Sequence, residues 1–315
     1  MHTNTTDHDK LRTAAHRVLC AMLLLAAPLR AHAQSADNVL LVINEDSPAS
    51  VQIGEYYARQ RAIESDHIIR IKAPTTETIQ RVDYEQKIEA PIGTFLVASD
   101  LQDRILYIVL TKGVPLRVRG TGGRDGTVAS VDSELTLLYR RLLGLPIQLL
   151  GRTPNPYFLD AKDIAQAQPF SRTTSDIYLV TRLDGFSVDD VIELIDRARQ
   201  PSASGEILLD EKGTLFDRGG DQWLEQAADR LKQGPLADHV VLEETAGLVA
   251  TTKPVMGYYS WGSNDPANQL RRFGLTFAPG AIGGMFVSTD GRTFAEPPAD
   301  RQTQARAADR FAPAG

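Results

Sequence analysis

Carboxylates are the residues of this chain best placed to do chemistry. They stand at the carboxyl ends of predicted strands or just beyond them, and the pool is Asp46, Asp132, Glu134, Asp184, Asp265 and Asp290. Carboxylates transfer protons as general acids or bases, and they also bind hard divalent cations. Their spacing matches no specific metal motif, so a bound cation stays an open alternative. The candidate catalytic residues from this pool and the nearby hydroxyls are Asp132, Asp184, Asp265 and Ser288.

Histidine and cysteine offer few alternatives. The single cysteine, Cys20, and four of the six histidines lie in residues 1–33. This segment has a basic stretch, a short apolar run and an Ala-His-Ala end, which together are typical of a secretory signal. We therefore expect cleavage after Ala33, export to the periplasm or the cell exterior, and a mature chain without cysteine. No apolar run reaches the ~20 residues that a transmembrane segment needs.

The two remaining histidines, His67 and His239, each begin a predicted strand. They therefore lie at the edge opposite the predicted site, and we interpret both as structural. The formal net charge of the chain is −6, with no basic cluster beyond pairs of arginines. This balance argues against nucleic acid as a partner. Any proton transfer then falls to the carboxylates.

Short β-branched apolar runs alternate with longer segments of helical period, which is typical of sheets covered by helices. The predicted strands are Val39 to Ile43, Ile68 to Ile71, Ile105 to Leu110, Ile177 to Thr181, Ile207 to Leu209, Val240 to Leu242, Val255 to Tyr259 and Ile282 to Val287. The predicted helices are Ala49 to Ala62, Ile79 to Leu101, Val131 to Leu143, Val188 to Ala198 and Gln222 to Leu231. The pattern predicts an α/β protein with mostly parallel, doubly wound sheets.

Two segments interrupt this pattern. Residues 151–176 contain three prolines and little periodicity, and a loop of that length is usually functional or disordered. We predict that it separates a first α/β lobe, 34–150, from a second, 177–294. Residues 295–315 are polar with almost no apolar period, which predicts a disordered or truncated tail.

Ligands of open α/β sheets bind beyond the carboxyl ends of the strands. The candidate binding residues at such ends are Asp46, Tyr258, Tyr259, Trp261 and Asn264. A structural interpretation competes at several polar positions there. Ser47 and Asp265 each precede a proline and are good helix N-caps, and Ser187 with Asp190 fits a capping box.

Five motifs carry a resemblance to a known family. They are Ser47-Pro48 with Tyr56-Tyr57-Ala58, then Thr111 to Arg117, Ser130 to Leu135, Tyr178 to Gly185 and Gly257 to Asp265. From about Val39 to Phe294 the chain resembles an uncharacterised family of exported bacterial proteins with no assigned activity. The resemblance implies that members continue past Phe294 with further apolar helices and strands, so we expect a C-terminus truncated relative to that family.

More distantly, the order of elements is similar to that of the gingipain-type cysteine peptidases of the caspase-like fold. On that order, Tyr259-Ser260-Trp261-Gly262 falls where a Gly-His-Gly turn would carry the catalytic histidine. The segment from Val287 to Gly291 falls where the cysteine strand would end. Neither histidine nor cysteine is present there. The resemblance therefore implies two caspase-like lobes without the peptidase activity.

Two functions stay open, and the sequence does not decide whether the chain is an enzyme. We favour a non-catalytic binding or surface-assembly module, with a broad groove lined by Tyr258, Tyr259 and Trp261. Its partner would be a peptide, a glycan or a cell-surface component. The alternative is an exported hydrolase that uses carboxylates, with or without a divalent cation, at the carboxyl edge of the sheet. This alternative predicts that the three candidate catalytic carboxylates converge in one pocket.

Overall fold

The computed structural model describes residues 35–123, 125–147, 168–213, 219–268, 274–287 and 291–296. The chain divides into two compact units, Met1–Ser35 and Ala36–Gly315, and every element below belongs to the second. The predicted signal segment, Ser288 and Asp290 lie outside the described residues. Within the described residues, helices alternate with sheets of parallel strands, which confirms the predicted α/β class.

Four parallel strands form the first sheet, in the order β2-β1-β4-β7. Their bounds are β1 Val39–Asn44, β2 Ile68–Ile71, β4 Tyr107–Thr111 and β7 Leu179–Leu183. Every residue of β1 after Val39 is buried, as expected for a central parallel strand covered on both faces. Strand β7 comes from the segment that we assigned to the second lobe, because an apolar run in a sequence does not reveal which sheet it joins.

Helices cover both faces of the first sheet. They are α1 Pro48–Arg61, α2 Arg81–Tyr84, α3 Ala90–Ala98, α4 Val131–Thr136, α5 Leu138–Leu142 and α6 Val188–Arg197. Alternate residues of β1 point to opposite faces. Leu40 and Val42 belong to the core that includes α3 and α4, whereas Leu41 and Ile43 pack with Ala58 of α1. The sheet is therefore the middle of three layers.

The segment predicted as one helix from Ile79 to Leu101 is divided in the structure. A π-helical turn, Glu85–Glu89, joins α2 to α3. Pro91 follows in the first turn of α3 and has no N–H to donate into the preceding turn. We attribute the wide turn to that missing hydrogen bond, since π-turns typically occur as single irregular turns within a helix.

The second sheet also contains four parallel strands, in the order β11-β10-β8-β9. Their bounds are β8 Glu206–Asp210, β9 Val240–Glu243, β10 Val255–Ser260 and β11 Phe277–Met285. Helix α7, Gly219–Lys232, packs on β8 and β9, where Leu209 contacts Leu224 and Ala228. On the other face, Leu208, Val255 and Tyr258 form a separate small core.

Strand β11 begins at Phe277 instead of the predicted Ile282. Pro279 and Gly280 interrupt the β-branched pattern in that part of the strand, which is why the sequence did not reveal it. Gly280 has a positive φ of 73°, and the ladder to β10 is irregular next to Val255. The irregular register is typical of a β-bulge in an edge strand.

A small third sheet contains β3 Thr78–Ile79, β5 Arg117–Val118 and β6 Ala129–Ser130. Residues 291–296 return to this sheet. There the guanidinium of Arg117 donates to the carbonyl of Arg292, and Thr293 donates to Glu77 Oε1 at 2.5 Å. None of the described helices has the length and apolar character needed to cross a membrane.

The fully buried Leu40 should contribute strongly to stability. Leu40→Ala removes buried methyl groups from the core of the first sheet and should lower the free energy of unfolding by about 2–5 kcal/mol. Leu194 of α6 is 51% exposed and is the matched control, since Leu194→Ala should change it by less than about 0.5 kcal/mol. Urea unfolding of the two variants measures the difference, and equal effects would contradict the described packing.

Candidate functional site

Arg182 holds the carboxyl end of the first sheet together. Its guanidinium donates to both carboxylate oxygens of Asp132, at 3.2 and 2.9 Å. It also donates to the carbonyls of Val114 and Pro115, at 2.8 and 3.0 Å. The Arg182 side chain is 8% exposed, so these bonds are made largely away from water. Arg182 therefore joins strand β7 to the loop after β4 and to helix α4.

Asp184 lies in the same ion-pair cluster. Lys112 Nζ donates to Asp184 Oδ1 at 3.0 Å and to the carbonyl of Gly185 at 2.6 Å. Arg182 Nη1 lies 3.6 Å from Asp184 Oδ2. Two of the three predicted catalytic carboxylates, Asp132 and Asp184, thus meet on Arg182. Two cations balance them, which indicates a structural role.

Two other acids of the predicted pool, Glu134 and Asp46, do not contact Arg182. Glu134 accepts from Arg81 at 2.8 Å and from Arg141 at 2.9 Å, and its side chain is 8% exposed. Glu134 therefore belongs to a buried ion-pair network on the face of the first sheet that α4 covers. Asp46 is exposed at the end of β1, where its backbone N–H donates to Asn44 Oδ1 at 3.3 Å.

Four buried carboxylates, Asp210, Glu211, Asp221 and Asp265, lie at the carboxyl edge of the second sheet, and we call the three aspartates the acid cluster. Their exposed fractions are 2%, 1% and 5%. Asp210 ends β8 and accepts from the backbone N–H of Val249 at 3.1 Å. Asp265 follows β10 and accepts from the backbone N–H of Ala267 at 2.8 Å. The two residues come from neighbouring strands, because β8 and β10 pair directly.

Asp221 lies in the first turn of α7. Its Oδ1 accepts from the Lys212 backbone N–H at 3.0 Å and from the Trp261 indole N–H at 2.5 Å. Asp221 Oδ2 is also buried and accepts no hydrogen bond from any described residue. An unpaired buried acceptor costs free energy unless a ligand or water supplies a donor. Lys212 Nζ lies 3.9 Å from the centre of the Trp261 indole.

The approach of α7 to Trp261 depends on a glycine. A Cβ atom at Gly220 would lie 2.5 Å from Trp261 Cζ2 and 3.0 Å from Phe286 Cδ2. Only a residue without a side chain allows the helix N-terminus to approach this closely. Gly220 therefore places Asp221 within reach of the indole N–H.

Burial and mutual repulsion change the acidity of this cluster. Burial raises the pKa of Asp210 to about 7, the Val249 N–H opposes the shift, and the negative charge of Asp265 adds to it. Burial also raises the pKa of Asp265, against the Ala267 N–H and the positive charge of Lys212. Carboxyl groups that titrate near neutral pH can donate and accept protons under ordinary conditions. Strongly shifted acids in contact with one another are also typical of functional sites.

The predicted aromatic binding residues are mostly buried. Tyr258 and Trp261 are 6% and 8% exposed, whereas Tyr259 is 37% exposed. Burial raises the pKa of Tyr258 to about 12, and its hydroxyl shares a hydrogen bond with Ser260. Asn264 is exposed and donates to the carbonyl of Phe286. The expected broad groove lined by three aromatic rings is therefore not the arrangement found, since only Tyr259 presents its ring to solvent.

The capping interpretations have mixed outcomes. Ser47 caps α1 and accepts from the backbone N–H of Ser50 at 3.3 Å, which confirms that prediction. The capping box of Ser187 and Asp190 is also confirmed. Asp265 accepts the Ala267 N–H and so caps a turn. It also lies in the acid cluster, where it interacts with Lys212 and Asp221.

The histidines lie where the sequence placed them. His67 and His239 occupy short turns directly before β2 and β9. The Nδ1 atom of His239 lies 2.7 Å from the carbonyl of Gly205. Both are therefore at the amino ends of their sheets, away from the acid cluster.

The sequence interpretation missed Asp210, Asp221 and Lys212. Asp210 and Lys212 follow the predicted strand from Ile207 to Leu209. They could therefore have been selected as the other acids were, by their position just beyond the carboxyl end of a predicted strand. Asp221 directly precedes a predicted helix and would have been interpreted as a helix N-terminal acid. Its contact with Trp261 is visible only in the folded chain.

The described residues contain no group of three or more His, Cys, Asp or Glu side chains that could hold a metal ion. A divalent cation therefore gains no support from the acid cluster as described. The side chains that are present can instead transfer protons, accept hydrogen bonds from a ligand and supply one positive charge from Lys212.

The fold and the site together define an α/β protein with two parallel sheets and a buried carboxylate cluster at the carboxyl edge of the second. Comparison with protein-family models, curated proteins and solved structures found no match.

The pH dependence of stability tests the Asp210 environment. The pKa of Asp210 is about 7 in the folded protein against an ordinary value of 3.8, so the folded state holds this proton longer than the unfolded chain. The contribution of Asp210 to stability should therefore fall as the pH rises from about 4 to about 7, and should be constant above that. Asp210→Asn removes this contribution.

Denaturant unfolding across this pH range measures the effect. The free energy of unfolding of the wild type minus that of Asp210→Asn should decrease from pH 4 to 7, within about one pH unit at each end. Asp46→Asn is the control, because Asp46 is exposed. A difference between wild type and Asp210→Asn that does not vary with pH would refute the raised pKa.

The ion-pair cluster of the first sheet should act on stability. Arg182→Met leaves Asp132 and Asp184 without their shared partner and should lower the free energy of unfolding by about 3–5 kcal/mol. Lys253→Met breaks the pair between Lys253 and Glu206, in which the lysine is 71% exposed, and should cost less than about 1 kcal/mol. Thermal unfolding of both variants compares them, and similar losses would argue against a structural role for Arg182.

Proposed function

We propose that this chain is a hydrolase in which Asp210 and Asp265 form a general acid and base pair. The observation that carries the proposal is the burial of both carboxyls at one sheet edge: Asp210 ends β8, and Asp265 follows the neighbouring strand β10 closely enough for its charge to act on Asp210. Ligands of parallel sheets bind at that edge. A buried pair of like charges is costly for folding, and active sites are where such arrangements are typically retained.

The shifts in acidity distribute the two roles. Asp210, whose pKa is about 7, keeps its proton up to neutral pH and acts as the general acid. Asp265 receives a backbone N–H and the field of Lys212, both of which favour its charged form, so it acts as the general base. Asp265 takes a proton from water, and Asp210 protonates the leaving group.

Ser260 and Lys212 have supporting roles in this proposal. Ser260 of β10 pairs with Asp210 of β8. Its Oγ accepts from the Gly262 N–H at 3.0 Å, and its hydroxyl also shares a hydrogen bond with Tyr258. It therefore fixes the turn that carries Asp265. Lys212 provides a positive charge next to the base.

Localisation and architecture belong to the same proposal. Residues 1–33 support export, because they have the three parts of a secretory signal. The order of elements supports a caspase-like arrangement, with the turn after β10 and the end of β11 in the positions of the histidine turn and the cysteine strand. Acid and base roles for Asp210 and Asp265 would then replace those of the missing histidine and cysteine.

A non-catalytic binding or surface-assembly module is the second candidate. The exposed apolar side chains Trp223 of α7, Tyr259 of β10 and Ile282 of β11 favour it, since clustered exposed apolar groups typically mark interaction surfaces. Binding without turnover is what this candidate predicts.

A screen of the purified protein against peptide and glycan libraries tests the proposal. Asp210→Asn should lower the rate of turnover by about 10²- to 10⁴-fold, which is the usual contribution of a general acid. The wild-type rate should fall as the pH rises through about 7, because the Asp210 acid then loses its proton.

Asp184→Asn is the matched control for turnover, because Asp184 is as well buried but lies in the first-sheet ion-pair cluster. It should retain the wild-type rate per folded molecule, with circular dichroism to check folding. Wild-type turnover that survives Asp210→Asn would refute Asp210 as the general acid. Binding of library members with no turnover would refute the hydrolase and leave the binding module.

A further inference from the structure

An exposed group of apolar side chains lies next to the acid cluster, and we call Trp223, Tyr259, Ile282 and Phe286 the aromatic patch. Trp223 is 63% exposed, Tyr259 is 37% exposed and Ile282 is 77% exposed. Large apolar side chains scattered singly on a surface are ordinary, but a contiguous group is informative. Contacts of Phe286 with Trp223 and Tyr259 show that these three aromatic side chains are contiguous.

Strand register places Tyr259 and Ile282 on one face of the second sheet. Tyr259 pairs with Gly284, and Ile282 lies two residues before Gly284 on β11. Directly paired residues, and residues two apart on a strand, point to the same face. Tyr259 lies over Gly284, where a Cβ atom would be 2.5 Å from the tyrosine ring. Helix α7 packs on β8 and β9, and beside it Tyr259 of β10 and Ile282 of β11 are exposed.

Phe286 connects this face to the acid cluster. Its ring centre lies 4.8 Å from that of Tyr259, 5.7 Å from that of Trp223 and 5.3 Å from that of Trp261. These distances are typical of packed aromatic pairs. Trp261 in turn donates to Asp221 at 2.5 Å. A continuous chain of contacts therefore leads from the exposed rings to Asp221. Asp210 lies on the opposite face of the sheet with Tyr258, so a chain that starts on the exposed rings reaches it over the carboxyl edge.

We propose that the aromatic patch is a subsite for an oligosaccharide chain that extends to the acid cluster. This inference rests on the proposed hydrolase and names its substrate class. A pyranose ring has an apolar face of C–H groups that stacks on Trp or Tyr rings. Its rim of hydroxyls can donate to carboxylates, and Asp221 Oδ2 is a buried acceptor without a donor among the described residues.

Charge distinguishes a glycan from the other ligands that stack on aromatic rings. Nucleic acid also stacks on such rings, but its phosphates would be repelled by the buried carboxyl groups at this edge, which outnumber Lys212 among the described residues. An uncharged sugar meets no such repulsion. Two carboxylates with separate acid and base roles are also the usual apparatus for hydrolysis of a glycosidic bond.

The reaction at this site balances with water alone. Asp265 takes a proton from a water molecule while the oxygen of that water forms a bond to the anomeric carbon. The bond from that carbon to the glycosidic oxygen breaks, and its electron pair stays on the oxygen, which takes the proton of Asp210. Transfer of a proton from Asp265 back to Asp210 through solvent restores the starting state.

Intrinsic fluorescence can report on binding, because the chain contains only two tryptophans and one of them, Trp261, is buried. Titration of the wild-type protein with soluble N-acetylglucosamine oligomers and with cello-oligosaccharides should give a saturable change in fluorescence from Trp223. Calorimetric titration of Tyr259→Ala should show affinity weakened by about 2- to 10-fold, as expected for loss of one stacked ring. Trp223→Ala should weaken it similarly.

Leu194→Ala is the control, because Leu194 is 51% exposed on α6 and lies outside the patch. It should leave glycan affinity unchanged, whereas Ile282→Ser, which changes a non-aromatic member of the patch, should weaken affinity less than Trp223→Ala. Asp210→Asn should still bind the oligomers and should release reducing ends about 10²- to 10⁴-fold more slowly than the wild type. Glycan binding without wild-type turnover would refute the hydrolase alone and keep the subsite.

Three outcomes would overturn the subsite. The first is absence of wild-type binding to both oligomer series. The second is loss of affinity on Ile282→Ser as large as that on Trp223→Ala, which would indicate general apolar docking of a protein. The third is a wild-type dimer that becomes a monomer on Trp223→Ala in sedimentation, which would assign the patch to contact between copies of the chain.

Discussion

Parallel strand pairing is the interaction on which the rest of this structure depends. Parallel strands bury both faces, so they need helices on each. The first sheet meets this requirement, with α3 and α4 on one face and α1 on the other. In the second sheet α7 lies over β8 and β9, and Trp223 of this helix forms the aromatic patch with Tyr259, Ile282 and Phe286. Because the strands of each sheet run the same way, polar residues at their carboxyl ends gather at one edge.

Polar residues gather at the carboxyl edge of both sheets. The balance of positive and negative charge differs between the two edges. At the first edge, Arg182 and Lys112 match Asp132 and Asp184 in number, and the ion pairs join loops to strands. At the second edge, the buried carboxylates Asp210, Glu211, Asp221 and Asp265 outnumber Lys212 among the described residues. Burial beside like charge favours the neutral form of a carboxyl group. The first cluster is therefore a structural joint, and the second has the acidity expected of a chemical site.

Local pattern was sufficient for most elements and for the caps. The strands β2 and β10 and the helix α6 lie where the apolar periods placed them, within a residue at each end. The pattern was insufficient where backbone geometry was unusual. Two such places are the π-turn before Pro91 and the early part of β11, which contains a proline and a glycine. Both depend on backbone hydrogen bonds, and the spacing of apolar residues does not reveal these.

The sequence by itself determined the α/β class, the edges at which polar residues lie and the scarcity of histidine and cysteine near them. Only the tertiary structure decided which acids meet. Asp210 and Asp265 come together because β8 pairs with β10, while β9, which lies between them in the chain, pairs on the far side of β8. Strand order follows from long-range packing of whole helices and sheets. A local pattern of residues identifies a strand end, but it does not identify the neighbour beside it.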